Sequence, residues 1–229
     1  MTKQSNNIQP VDFIFIYIGG AFIAGWLQQI LRGLFPSLGS TTAGSLLSGL
    51  WLQDLLMLAV LACFLTARKT SWRMIGVRAP QGRHPYLGAA IGGILLYVLM
   101  TLLVQLINAL LPNGLAAQNV QSYMQADDAL WVKIFVVLTM GVFVPIAEEL
   151  IFRGYLFNSL CRYLTPQMAM IFTAVIFGCA HMDAQRAIPL AVGGYLLNVI
   201  AVRYQSVFAS AIAHGLWNAV MIVAYYSVL

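Results

Sequence analysis

VPIAEELIFRGYLF, residues 144–157, sets Glu148, Glu149 and Arg153 inside an apolar run that extends over about residues 130–160. Charged groups at membrane depth cost roughly 2.5–3.5 kcal/mol each, so they need partners or a task. The first question is therefore whether the run around them is a membrane span at all.

The composition says that it is. The chain of 229 residues is 61% hydrophobic and 8% charged, with a mean hydropathy of +0.83. A soluble domain carries about a quarter charged residues to cover its surface. Apolar runs near the length of about 20 residues that a bilayer crossing needs fall at 13–34, 44–66, 86–111, 130–160, 167–182, 187–202 and 206–227. These predict an all-α, polytopic membrane helical bundle of about seven transmembrane helices, within a range of six to eight. They leave no stretch for a soluble second domain. The fourth run exceeds a simple crossing, and Pro145 marks a position where it is expected to bend or split. The polar start with its single lysine reads as leading into an uncleaved first span. Cys63, Cys161 and Cys179 are scattered and form no CxxC pair. They read as small buried hydrophobes, with no disulfide framework and no cysteine metal site.

The net charge of +5 concentrates at 67–85, which carries Arg68, Lys69, Arg73, Arg78 and Arg83. A basic connection between the second and third spans predicts a cytoplasmic loop and a cytoplasmic N-terminus. Contact with lipid headgroups explains it better than nucleic acid, for which no stacking aromatics on a soluble face are provided. The connection 112–129, with Asp127 and Asp128 and no basic residue, is then expected outside. Arg162 and Arg203 fall at inner helix ends, and Lys133 is an exception that can snorkel. GAAIG at 88–92 reads as a small-residue packing face, as do Gly19, Gly20, Gly193 and Gly194.

Four polar groupings lie in or beside the spans. Glu149 and Arg153, four apart, share a helix face and can pair. Glu148 is then about 100° away and faces elsewhere. FGCAH ends in His181, and HGLWN puts His214 and Asn218 on one face. Asp183 and Arg186 follow His181 in a short, interfacial connection. At about 1.5 Å per residue, Glu148 lies about 21 Å from Arg162, His181 about 22 Å from Pro166, and His214 about 16 Å from Arg203. Three helices thus bring polar groups to comparable depth.

Such a set suits hydrolysis. Glu148 in a low-dielectric setting is placed to act as general base on water, with His181 sharing or orienting that water. His214 and Asn218 can hold the oxyanion of a tetrahedral intermediate. The competing scheme binds zinc at Glu148, His181 and His214 and lets the metal acidify the water. HExxH and GxSxG are absent from the sequence. Each grouping also has a purely structural reading, as an ion pair, a packed histidine or an interhelical hydrogen bond. Their coincidence in depth favours a shared site.

At these residues the sequence resembles the CPBP family, also called Abi, of CAAX-prenyl-protease and bacteriocin-processing membrane proteins. Its signatures EExxxR, FxxxH and HxxxN stand here as Glu148-Glu149-Leu150-Ile151-Phe152-Arg153, Phe177 to His181, and His214 to Asn218. The resemblance covers about 130–225. It divides the chain into motif-free N-terminal helices over 1–129 and a catalytic core over 130–229, within one structural domain. It implies an intramembrane endopeptidase acting on a peptide or membrane-anchored protein, and the short chain without elaborated loops reads as one of a bacterial or archaeal cell membrane. By resemblance the catalytic residues are Glu148, His181, His214 and Asn218, and Glu149 with Arg153 form a supporting ion pair. No cofactor is favoured, and zinc is the alternative. Eukaryotic relatives trim prenylated proteins, whereas bacterial ones process peptide leaders, confer bacteriocin immunity or act as scaffolds. A non-catalytic scaffold is accordingly the reading from another class. A proton-coupled transporter is disfavoured, because no inverted repeat is apparent.

Overall fold

The computed structural model describes residues 7–111, 115, 124–125 and 127–228. Among them there is no strand, and seven apolar helices follow one another. Six are long and apolar enough to cross a membrane: α1 (Asp12–Leu34), α2 (Thr42–Ala67), α3 (Pro85–Leu110), α4 (Leu130–Leu160), α6 (Ala187–Tyr204) and α7 (Val207–Tyr226). Between α4 and α6 lies the shorter α5 (Pro166–Ala180). This is the expected polytopic helical bundle. Much of the expected outer connection at 112–129 lies outside the described residues. Within the described part, the Asp128 carboxylate accepts from Thr42 at the start of α2 and from the Tyr226 hydroxyl at the end of α7, each at 3.0 Å.

The ends of the helices follow local chemistry. Pro85 and Pro166 stand in first turns, where a missing N–H costs nothing. The Thr165 and Ser206 hydroxyls accept backbone N–H groups of α5 and α7. Gln205 adopts a left-handed conformation, φ 51°, and turns α6 sharply into α7.

Two expectations need correction. The 167–182 run does not reach the length of a spanning helix. At 15 residues α5 rises about 22 Å, against a hydrocarbon core of about 30 Å. Nor does α4 split at Pro145. It runs continuously over 31 residues because wide, π-type turns at Thr139–Phe143 and Leu150–Leu156 absorb the strain. Pro145 cannot donate to the Gly141 carbonyl. That oxygen faces Gly215 of α7 instead, so closely that a Cβ on Gly215 would lie 2.1 Å from it.

Packing places α4 at the centre. Ile8, Phe13 and Ile16 from the N-terminal end join Met57, Leu61 and Leu65 of α2, Ile151, Phe152, Tyr155 and Leu156 of α4, and Phe177 of α5 in one buried cluster. A second cluster binds α3 to α6 and α7 through Leu96, Met100, Leu197, Ala213 and Trp217. The small residues of α3 permit this approach. A Cβ on Gly92 would lie 2.9 Å from Ile200, and one on Gly93 2.5 Å from the Ala213 carbonyl. The opposite faces of α1 and α3 expose Phe22, Trp26, Leu95 and Leu102, as lipid-facing surfaces do.

At one end, α1 is fastened by polar contacts. The Asp12 carboxylate receives two hydrogen bonds from Arg68, at 2.6 and 2.9 Å, and one from the Tyr155 hydroxyl at 2.6 Å. Arg162 donates to the Ile8 carbonyl at 2.7 Å, and the Tyr163 hydroxyl donates to Gln9.

Candidate active site

The two wide turns of α4 bracket Glu148 and Glu149 and aim them into the bundle. Glu149 and Arg153 pair as their spacing predicts, with Nη1 to Oε1 at 2.7 Å and both side chains fully buried. Burying such a pair costs less where further hydrogen bonds meet its remaining donors and acceptors; Arg153 Nε and Glu149 Oε2 have no hydrogen-bond partner among the described residues. Here Arg153 Nη2 donates to the Gly194 carbonyl of α6 at 2.8 Å, and its guanidinium lies over the Phe177 ring, 4.5 Å from the centroid.

His214 extends this cluster. Its Nδ1 stands 3.0 Å from Glu149 Oε1, and its Nε2 stands 3.8 Å from Glu148 Oε2. One imidazole therefore spans both glutamates, although an ideal helix points them about 100° apart. Nδ1–H donating to Glu149 fixes the ring and leaves Nε2 for Glu148 or a ligand. The Glu148 side chain is 20% exposed and that of Glu149 is fully buried. Glu149 is thus the enclosed carboxylate of the two, and Glu148 the more open one.

His181 caps α5 at its C-terminal end, and its Nδ1 meets the Phe177 carbonyl at 2.8 Å. Phe177 joins the groups: its ring centroid is 4.7 Å from that of His181, 5.8 Å from His214 and 5.1 Å from Phe152. A Cβ on Gly194 would lie 3.0 Å from this ring, which lets α6 close over it. Asn218, one turn beyond His214, donates from Nδ2 to the Met140 carbonyl at 3.0 Å, inside the first wide turn of α4. An amide carries two N–H groups, so this bond leaves a second one to offer.

The geometry thus places Glu148, Glu149, Arg153 and His214 in one contiguous group, with His181 linked to it through Phe177 and Asn218 seated one turn further along α7. Asp183 and Arg186 pair at 2.8 Å in the connection after His181. Two groups beside the site escaped the sequence reading. Asp54 of α2 is buried and within electrostatic reach of Glu148. Tyr17 of α1 also senses Glu148 and donates its hydroxyl to the Ala180 carbonyl at 3.2 Å, next to His181. An unpaired acid in the middle of an apolar span was a signal for Asp54. Nothing in the local sequence marked Tyr17. Among the described residues no three His, Cys, Asp or Glu side chains come close enough together to hold a metal ion.

Comparison with known proteins finds similarity over the same helices. Residues 130–220 match the family model described as Type II CAAX prenyl endopeptidase Rce1-like. The matched range contains all three motifs, and the helices that bear them are α4, α5 and α7. A Bacillus subtilis (strain 168) relative named "Putative membrane peptidase YdiL" is 26% identical over 110 residues, which are 48% of this chain. The match spans 44% of the relative's length. No solved structure matches.

Proposed function

We propose that this chain is an intramembrane endopeptidase that uses glutamate-activated water on a peptide or membrane-anchored protein. The observation that carries the reading is His214 set between Glu148 and the buried Glu149–Arg153 pair. Glu148, the more open carboxylate, takes a proton from water as the water oxygen attacks the scissile carbonyl. Nε2 of His181 orients that water. His214 and the second N–H of Asn218 face the oxyanion of the tetrahedral intermediate. The proton held by Glu148 then passes to the departing amine, so that one water is added across the C–N bond and the site is restored. Glu149 and Arg153 keep His214 in place and touch no substrate.

The test is Glu148→Gln in detergent or proteoliposomes, with thermal unfolding as the folding control. Cleavage of a membrane-anchored reporter is expected to fall about 100-fold or more at an unchanged Tm. Full retained cleavage would remove the reading and leave the scaffold role. Chelator treatment separates the two hydrolytic schemes. Undiminished cleavage favours the glutamate scheme, and loss restored specifically by zinc favours the metal held at Glu148, His181 and His214.

A further inference from the structure

Asp54 stands at the middle of α2, the helix that packs against α1 on one side and against the Glu148-bearing part of α4 on the other. Its residue surface is only 5% exposed, and its Oδ2 has no hydrogen-bond partner among the described residues. The titratable groups within electrostatic reach of it are Tyr17 on α1 and Glu148 on α4, the two helices that α2 packs against. Behind Glu148 stand His214, Glu149 and Arg153, and those three are already engaged with one another. Among the described residues Asp54 caps no helix and forms no ion pair, and it occupies a place where leucine would pack at lower cost. A charge there would sit at mid-membrane beside a second carboxylate, which favours the neutral form of the side chain. A neutral carboxyl is a hydrogen-bond donor, and the acceptor within electrostatic reach is Glu148.

We infer that Asp54 is a positioning residue of the same site: a proton-bearing carboxyl whose O–H is offered to the Glu148 carboxylate, directly or through one water, and keeps it aimed at the attacking water. The role in turnover rests on the endopeptidase reading above. The neutral carboxyl and its location do not. Buried polar groups kept without a structural partner cost stability and are retained for function, so the two properties are expected to move in opposite directions on substitution.

The experiment compares Asp54→Leu and Asp54→Asn with the wild-type full chain. Asp54→Leu is expected to keep or raise Tm while kcat for reporter cleavage falls about 100-fold and KM stays within about two-fold. Asp54→Asn keeps a donor and is expected to recover at least about a third of wild-type kcat. A lowered Tm in Asp54→Leu would make the residue structural and overturn the inference. Wild-type kcat in Asp54→Leu, or Asn no better than Leu, would overturn it equally. Infrared spectroscopy supplies an arm that needs no cleavage. A protonated-carboxyl C=O band present near neutral pH, retained in Glu148→Gln and lost in Asp54→Asn, is expected. Its absence from the wild type would end the inference whatever the protein cleaves. A chain that shows this band and cleaves nothing would refute the endopeptidase reading alone.

Discussion

Gly215 is the most sensitive contact between the two halves of the site. It follows His214 on α7, and a Cβ placed there would lie 2.1 Å from the Gly141 carbonyl oxygen of α4. Cβ contacts under 3.0 Å are essentially never seen, so Gly215→Ala must part the two helices by about 0.9 Å. The obstacle is backbone on both sides, and no flexible side chain can swing away to relieve it. Overpacking of this kind costs about 1–3 kcal/mol. The displacement falls beside the residue whose ring stands 3.0 Å from Glu149 and 3.8 Å from Glu148. Moving it by close to 1 Å breaks the first contact and misdirects Nε2, and a misplacement of that size costs about 100-fold in rate. The assay is reporter cleavage by Gly215→Ala beside Gly141→Ala, with Tm measured on the same preparations. A Cβ on Gly141 meets the Ala219 Cβ at 3.1 Å, a milder clash farther from the imidazole, so its loss is expected to be smaller. Gly215→Ala with wild-type Tm and wild-type cleavage would refute the claim that helix contact at Gly141 sets the histidine.

Arg153→Met removes one member of a fully buried pair and leaves the Glu149 charge with only the His214 contact, so about 3–5 kcal/mol of stability is expected to be lost. Adding Glu149→Gln should return part of it, read as Tm in detergent. Asp12→Asn weakens the bonds from Arg68 and Tyr155 and is expected to cost about 1–3 kcal/mol, with earlier proteolysis near α1 while α7 stays protected. Burial pushes the Cys161 thiol up to about 11, so its thiolate is scarce at pH 8. Maleimide labelling of Cys161 in a variant lacking Cys63 and Cys179 is expected to be slow there and to accelerate as pH rises toward that value.

Much of the fold was legible because hydropathy alone marks a membrane span. Six long helices lie where apolar runs of sufficient length predict them. The ion pair was legible for a similar reason, since four positions on a helix put Glu149 beneath Arg153. Depth counting brought His214 and Glu148 to comparable depth, and the structure places them in reach of each other. What sequence could not show depends on partners distant along the chain. Pro145 reads as a break, and only the wide turn at 139–143 and the glycine contact across to α7 reveal how α4 continues. Glu148 and Glu149 were expected to face apart, and the imidazole that spans them comes from 65 positions away. Phe177 entered the sequence reading only as the first residue of the FxxxH signature. Its role as the ring against which Arg153, His181, His214 and Phe152 all rest is a property of packing.

The brevity of α5 has a consequence for the lipid around it. A helix rising about 22 Å brings its C-terminal end, His181 and the Asp183–Arg186 pair, short of a surface about 30 Å from where it began. Lipid tails cannot solvate such groups, so the bilayer must thin or water must dip inward on that flank. Acyl-chain length thereby becomes a physical control on how readily solvent reaches His181, and a thicker membrane makes that supply harder to maintain.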